Sequence, residues 1–501
     1  MLTPAQSLAL APAAPEAMGL ATFVSVFVLL MFGFPVAFTL VGTAIGMAAL
    51  GALLGLFDFH LLSALPLRIT GLMENDLLQA VPLFLYLGVV LERTTLAADL
   101  LEGMSGLFGK RAGGIGVASF IIGALFAPMT GAVGATVLTI GLLALPSMLN
   151  AGYDKRLASG IVCCAGTLGT ILPPSIILIL LGDYMQGATV EAQLARGETV
   201  VNPLTIDDVY MGALAPAALV LGLGIAYVLL VAYLHPERCP PSSAALARKP
   251  SLRELAFRLF TPLGLILFLL GAIITGLVYT VEAAASGAIG ATIYTLARGQ
   301  LTIRRLTETV QTTMKLTAMV FMLLIGATTF SLVFRGFDGD VYVTRLLTAL
   351  PGGTVGPVAV VMAVCFGLGF FLDALEIIFL VIPIAMPPLL FLGVNPVWLA
   401  VLTAINLQTS FLHPPFGFAL FFMRGVAPKS ISTLDIYWGA VPFICVQIIA
   451  LALVWVEPRI VTAIPEYWNG APPIAAPAPA AATGTTDIVI PGPPDAGPDT
   501  H

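Results

Sequence analysis

Apolar residues run along this chain in blocks of helical length, joined by short polar, glycine- or proline-bearing segments, with little strict apolar-polar alternation. That pattern predicts membrane helices rather than the strands of a barrel. Candidate segments fall at roughly 20–34, 36–57, 77–92, 113–149, 157–185, 209–234, 260–280, 282–297, 314–334, 356–394, 397–426 and 435–457. Two of them are long and interrupted. The first, 113–149, carries Pro128 and Gly131 near its middle, and the second, 356–394, carries Gly367, Gly369 and Asp373. Each predicts one broken span or a re-entrant hairpin, and the fold class is an all-α polytopic membrane protein.

Proline breaks interrupt two further blocks, at Leu172-Pro173-Pro174-Ser175 and Leu412-His413-Pro414-Pro415-Phe416. Pro173 and Pro414 stand 241 positions apart, and the same shift carries Pro146 onto Pro387, Leu149 onto Leu390, Gly152 onto Gly393 and Pro174 onto Pro415. The chain reads as duplicated. A helix broken at membrane depth frees backbone N–H and C=O groups that hydrocarbon cannot satisfy, so such breaks survive where they line a cavity or bind something. Paired breaks in two halves point to a transporter's site.

Composition narrows the class. With 58% hydrophobic and 10% charged residues among 501, and a mean hydropathy of +1.02, the chain is no soluble globular protein, whose charged fraction would be about 25%. The net charge of −6 matters less than where Lys and Arg sit. Lys110 and Arg111 precede the first long block and Lys155 and Arg156 follow it, so both its ends are cytoplasmic and it must be a hairpin. Crossing outward through 157–185 reaches the acidic loop of Asp183, Glu191, Glu198, Asp207 and Asp208, and 209–234 returns to Arg238, Arg248, Lys249, Arg253 and Arg258. Continuing the alternation, 356–394 enters from outside. The two halves are therefore expected to be inverted, each with one re-entrant hairpin and one broken helix.

The expected organisation is an N-terminal segment, 1–19; a first half, 20–234, with its hairpin at 113–149 and broken helix at 157–185; a basic cytoplasmic linker, 235–258; a second half, 259–460, with its hairpin at 356–394 and broken helix at 397–426; and a Pro/Ala-rich tail, 461–501, expected to be disordered. Residues up to Met18 carry no Lys or Arg, so they lack the basic start of a cleavable signal peptide, and Leu20 onward reads as a retained helix. Cys163, Cys164, Cys239, Cys365 and Cys445 show no metal spacing and read as small core residues.

The first hairpin turns at Pro128-Met129-Thr130-Gly131-Ala132-Val133-Gly134-Ala135-Thr136, small residues and hydroxyls where helix ends expose backbone groups. Helix N-termini suit carboxylates and C-terminal carbonyls suit sodium, whereas the competing reading is close helix packing by small side chains. Gly166-Thr167-Leu168-Gly169-Thr170 precedes the first proline break, and a hard cation can take Thr hydroxyls and freed carbonyls as oxygen ligands. In the second half the corresponding stretches are Gly367-Leu368-Gly369-Phe370-Phe371-Leu372-Asp373-Ala374-Leu375-Glu376 and Asn406-Leu407-Gln408-Thr409-Ser410. Asp373 and Glu376, three apart, face one side of a helix, and carboxylates inside a bilayer are functional by default unless, as is open for Glu376, they reach the interface. His413 either relays protons or hydrogen-bonds loose backbone. Glu282, opening the helix after Tyr279-Thr280-Val281, reads as a cap. No nucleotide cradle and no His/Cys/Glu metal triad is present, so energy must come from ions or another subunit, and neither an enzymatic activity nor a nucleic-acid partner is expected.

The chain resembles the large membrane subunit, DctM type, of tripartite ATP-independent periplasmic (TRAP) transporters. The resemblance rests on Gly33-Phe34-Pro35-Val36-Ala37-Phe38, Val81-Pro82-Leu83-Phe84-Leu85, Gly152-Tyr153-Asp154, Ile171-Leu172-Pro173-Pro174-Ser175, Glu282-Ala283-Ala284-Ala285, Phe371-Leu372-Asp373 and Pro414-Pro415-Phe416-Gly417-Phe418-Ala419-Leu420, across about residues 20–460. It implies an elevator-type, sodium-coupled importer in the bacterial inner membrane, needing no organic cofactor. Its implied partners are a small DctQ-type membrane subunit, a DctP-type periplasmic solute-binding protein and an organic acid. Carried onto this chain, the implied sodium residues are Thr130, Gly131, Gly166, Thr167, Asp373, Gln408 and Ser410, joined by Thr170; Thr130, Thr136, Pro173, Ser175, Thr409 and Pro414 are the candidates beside the substrate. The chain departs from the family's Ser-Gly-Ser first tip, which is Thr130-Gly131-Ala132 here, and from its Thr-Pro-Thr, which is Tyr279-Thr280-Val281. The acidic loop 182–208 and the Phe-Gly-Phe after the second break resemble the longer variant of this subunit, linked to 2-oxoacids and other monocarboxylates. The alternative expectation is a proton-coupled anion transporter or antiporter using Asp373, Glu376 and His413.

Overall fold

The computed structural model describes residues 12–94, 96–130, 133–198, 201–241 and 277–469, together with 264, 267–269, 271–273 and 275. Among these residues every regular element is helical. The first half runs α1 (Ala14–Met31), α2 (Val36–Leu53), α3 (Leu65–Met73), α4 (Ala80–Glu92), α5 (Leu96–Phe108), α6 (Gly114–Thr130), α7 (Val133–Asn150), α8 (Lys155–Thr167), α9 (Ile176–Ala195) and α10 (Ile206–Leu234). The second runs α11 (Thr280–Ala297), α12 (Ile303–Gly336), α13 (Gly339–Thr348), α14 (Val355–Leu368), α15 (Ala374–Phe391), α16 (Pro396–Ser410), α17 (Phe418–Val426), α18 (Thr433–Val456) and α19 (Arg459–Asn469). Seven helices among the described residues are long and apolar enough to cross a bilayer, or eight if the pair around α3 and α4, bent by 57°, counts as one span. At that bend Asn75 accepts a hydrogen bond from Leu77 N and donates one to Asp183 on α9, at 2.9 Å.

The 241-residue correspondence extends to the helix boundaries. α7 and α15 begin at Val133 and Ala374 and end at Asn150 and Phe391, while α8 and α16 begin at Lys155 and Pro396, each pair 241 apart. The joints match in their hydrogen bonds. Gly152 and Gly393 take φ of 91° and 84°, a left-handed conformation that glycine enters without a Cβ penalty and that ends helices. Each is followed by an amide that reaches back into the helix, Tyr153 N to Met148 O at 3.0 Å and Val394 N to Leu389 O at 3.2 Å. The next helix starts on Asp154, which accepts from Arg156 N and Leu157 N, or on Asn395, which accepts from Trp398 N, satisfying amides that a helix N-terminus leaves orphaned. Both Pro-Pro bonds, Pro173-Pro174 and Pro414-Pro415, are cis.

Packing between the halves is reciprocal. α9 lies along α15, and its counterpart α17 lies along α7, the counterpart of α15. The two feet of the first hairpin stand together: Gly113 N donates to Cys239 O and Asp154 N to Arg238 O, both at 2.8 Å. The chain from α6 through α7 thus leaves one place and returns to it. Around this bundle, α2 packs on α12 and α4 on both α11 and α12, while α18 closes against α8. The α8–α18 contact brings backbone onto backbone, since a Cβ on Gly160 would stand 2.0 Å from Gly439 O. Such approaches are how helices gain van der Waals contact where lipid supplies no hydrophobic drive.

One expectation meets the structure differently. The tail does not lose order at 461: α19 continues to Asn469 and packs on α10, with Val461 and Thr462 buried. Its apolar positions recur at helical spacing (Ile460, Val461, Ile464), so the Pro/Ala bias, which begins farther on, does not govern it. Residues 470–501 lie outside the described residues, as do most of the expected span 260–280 and the linker from 242 to 258. Glu282 does cap, accepting from Tyr279 N at 3.1 Å.

Candidate functional site

Helix α8 stops at Thr167 and tightens into a 3-10 turn over Leu168–Thr170 before Pro173 and Pro174. Proline donates no N–H, so the carbonyls before it lose their helical partners. Hydroxyls partly replace them: Thr167 Oγ1 donates to Cys164 O at 2.9 Å, Thr170 Oγ1 to Thr167 O at 3.1 Å and Ser175 Oγ to Thr170 O at 3.4 Å. A hydroxyl that spends its proton on a carbonyl keeps its lone pairs for a cation. All three side chains are buried, as are Pro173 and Pro174. The turn is seated by glycines at close approach: a Cβ on Gly169 would lie 2.2 Å from Ala127 O, and one on Gly166 2.4 Å from Val137 Cγ2.

The second break has the same grammar. Thr409 Oγ1 donates to Ile405 O and Ser410 Oγ to Leu407 O at the end of α16, and the chain then turns through His413–Pro415 before Gly417 N returns to His413 O at 2.9 Å. Gly417 cannot carry a Cβ here, because Phe411 O would stand 2.4 Å away. Two contacts bind this break to the second hairpin. Asn406 Nδ2 donates to Met362 O on α14 at 2.8 Å, and Gly369 sits so close to Ser410 that a Cβ would lie 2.0 Å from the serine Oγ.

The two breaks meet. Thr170 Oγ1 lies 3.2 Å from Gln408 Oε1, 238 positions later, in a fully buried contact. Gln408 is the counterpart of Thr167 at the 241-residue shift. Its Nε2 is a buried donor with no hydrogen-bond partner among the described residues. The cluster of Thr167, Thr170 and Gln408 thus gathers oxygen acceptors and one spare N–H without a formal charge.

Helix α18 touches both breaks. Gln447 Nε2 reaches Thr167 Oγ1 at 3.5 Å and Cys164 Sγ at 3.8 Å, and Tyr437 OH donates to Pro415 O at 3.0 Å. These two residues escaped the sequence reading. The available signal was one amide, Gln447, alone in the apolar run 438–456.

The remaining candidates divide. Thr136 is buried on α7. Thr130 closes α6, but its side chain and Gly131 lie outside the described residues. Asp373 and Glu376 do not act as a facing pair on a helix: Asp373 is the N-cap of α15, and Glu376 Oε2 accepts from Asp373 N at 3.0 Å. Three-residue spacing at a helix start lets the Glu376 carboxylate accept from the N-cap amide and sets negative charge against the positive end of the macrodipole. His413 takes the backbone role, with Nδ1 2.9 Å from Pro414 O and its ring packed on Phe366 and Phe370. Pro414 is half-buried. Among the described residues no group of three His, Cys, Asp or Glu side chains is placed to hold a metal ion.

A family profile described as "Tripartite ATP-independent periplasmic transporter, DctM component" matches residues 23–460. The chain is 26% identical over 449 residues to the C4-dicarboxylate TRAP transporter large permease protein DctM of Rhodobacter capsulatus, covering 87% of this chain and 98% of that one. It is likewise 26% identical over 447 residues to the sialic acid TRAP transporter large permease protein SiaM of Vibrio cholerae, covering 88% and 97%. Among solved structures, the YdaH transporter of Alcanivorax borkumensis aligns with a TM-score of 0.58 at 17% identity, over 80% of this chain and 89% of that one, a likeness of fold alone. Apolar helices broken at buried prolines and a family match over residues 23–460 lead to one conclusion: the chain belongs to the DctM family of TRAP transporter large subunits, and is a multi-pass permease of the bacterial inner membrane, not an enzyme.

Proposed function

We propose that this permease imports an organic acid anion together with sodium, and that the joined breaks hold the ion. The observation that carries the reading is the buried 3.2 Å contact of the Thr170 hydroxyl, whose one proton is shared between Thr167 O and Gln408 Oε1, which brings the two proline breaks into one uncharged, oxygen-rich cluster. Thr167, Thr170 and Ser410, with Gly166 and the carbonyls freed before the prolines, supply hard oxygen ligands suited to sodium. Thr130, Gly131 and Asp373 belong to the hairpin tips that would complete the ion sites. Ser175, Thr136, Thr409, Pro173 and Pro414 border the path of the substrate, and the unpaired Gln408 Nε2 is a donor for its carboxylate.

The reciprocal packing of α9 on α15 and α17 on α7 supports an inverted two-fold relation between the halves, the architecture in which such bundles move as elevators. Family membership implies a small membrane subunit and a periplasmic binding protein as partners. The relatives are named for C4-dicarboxylate and sialic acid, both organic anions; for this chain a 2-oxoacid or other monocarboxylate is the substrate class. Sodium suffices as the drive: two ions falling through a tenfold gradient release about 2.8 kcal/mol, enough for roughly hundredfold accumulation before any membrane potential is counted.

The test is uptake into proteoliposomes holding this subunit, its small partner and the cognate binding protein loaded with its acid. Accumulation should follow an inward sodium gradient and stop without it. Uptake that ignores sodium and follows a pH gradient would assign the coupling to protons instead, through Asp373, Glu376 and His413.

A further inference from the structure

A cavity of about 200 Å³ lies away from the breaks, where α12 and α3 face α9 and α15. Its charged lining is Arg68 from α3, Arg335 from α12 and Glu191 from α9, and Tyr184, Thr328 and Ser331 add hydroxyls. The wall of α15 contributes Ile382, Pro383 and Pro387, which offer no hydrogen-bond donor of their own kind. The nearby charges are unevenly matched. Arg335 has Asp340 at 4.0 Å, beyond hydrogen-bonding distance, and Arg68 has no hydrogen bond or ion pair among the described residues. Both guanidinium-bearing residues line this one open cavity. Two like charges there repel less when an anion stands between them, and guanidinium groups bind carboxylates through paired, charge-assisted hydrogen bonds.

We propose that this cavity is a second anion site, in which Arg68 and Arg335 hold the carboxylate of a small monocarboxylate outside the joined breaks. The inference rests on the reading of the chain as an organic-anion permease. By the distribution of Lys and Arg the cavity opens on the outer side, with the C-terminal ends of α9, α12 and α15, where a binding protein would release its cargo. The lining also sets a specificity for the proposed site: Glu191, in the same lining, repels a second carboxylate, so a monoacid fits where a diacid does not.

The experiment is arginine footprinting with phenylglyoxal, read by mass spectrometry, on the purified subunit in phosphatidylcholine nanodiscs without sodium. Pyruvate and succinate are the probes. Pyruvate at about twice its dissociation constant should slow labelling of Arg68 about threefold by mass action, succinate should do so less, and Glu191→Gln should bring succinate level with pyruvate. Arg335→Gln should weaken pyruvate protection of Arg68, with size-exclusion profile and melting temperature confirming the fold. Thr170→Val should leave protection intact, so failure of sodium-driven uptake and failure of this site are separate results. Protection absent with pyruvate, unchanged in Arg335→Gln, or seen only when phosphatidylglycerol replaces phosphatidylcholine would overturn the proposal, the last by assigning the arginines to lipid headgroups.

Discussion

Thr170 and Gln408 show how few polar atoms hold the two halves together at their centre. Replacing Thr170 by Val keeps the shape and deletes the hydroxyl, leaving Gln408 Oε1 buried and unpaired, at a cost of about 1–3 kcal/mol. Uptake in proteoliposomes should fall while the protein still elutes as a folded species, because the lost hydroxyl is one of the oxygens proposed for the ion. Gly369 gives a sterically independent probe. Gly369→Ala puts a methyl 2.0 Å from Ser410 Oγ and 2.5 Å from its Cβ, so the melting temperature should drop, and Ser410→Gly in the same chain should restore much of it. Equal melting temperatures for Gly369→Ala with and without Ser410→Gly would mean the close approach is not the cause. Thr167, Thr170, Gln408 and Ser410 were legible as chemistry because hydroxyls and amides are rare next to prolines in an apolar chain. What the spacing of Asp373 and Glu376 did not show is that the pair sits at the first turn of α15, with Asp373 as its N-cap, because three-residue spacing looks alike inside a helix and at its start.

Each break is positioned by the element that precedes it, and each of those elements starts on a capped joint. Asp154 and Asn395 stand 241 positions apart at the heads of α8 and α16. Asp154→Ala and Asn395→Ala should each destabilise the protein by about 1 kcal/mol, the usual cost of losing an N-cap, and a thermal melt of the single and double variants checks it. Additive losses are expected, since the two caps share no partner. The boundaries of α7, α8, α15 and α16 were readable to within a few residues, because Gly152, Gly393 and the prolines punctuate the chain locally. Helix α19 was not, since its short apolar stripe is overshadowed by the proline-rich run that follows. The strut α18 was legible as a span but not as a clamp: nothing in its own residues tells Gln447 that Thr167, 280 positions earlier, is its neighbour.

For the whole molecule, the common footing of Gly113 and Asp154 on residues 238–239 makes a prediction about sidedness. In a chain whose exposed Cys445 has been replaced by Ser, Arg111→Cys and Lys155→Cys should both react with a membrane-impermeant maleimide from the cytoplasmic side and neither from the other. Labelling from opposite sides would mean that α6 and α7 cross the bilayer instead of returning. Sequence alone determined that the chain lives in a bilayer, that it is helical, and that helices break at Pro173 and Pro414. Those features follow from local demands, since hydrocarbon forces every backbone group to find its partner within a segment or to mark its absence with proline, glycine and hydroxyls. Tertiary structure alone decided that the breaks touch through Thr170 and Gln408, that α18 braces both, and that Arg68 and Arg335 converge on one cavity. Such contacts depend on how helix surfaces fit across hundreds of residues, and that fit is set by packing shape, which no pattern of apolar and polar positions encodes.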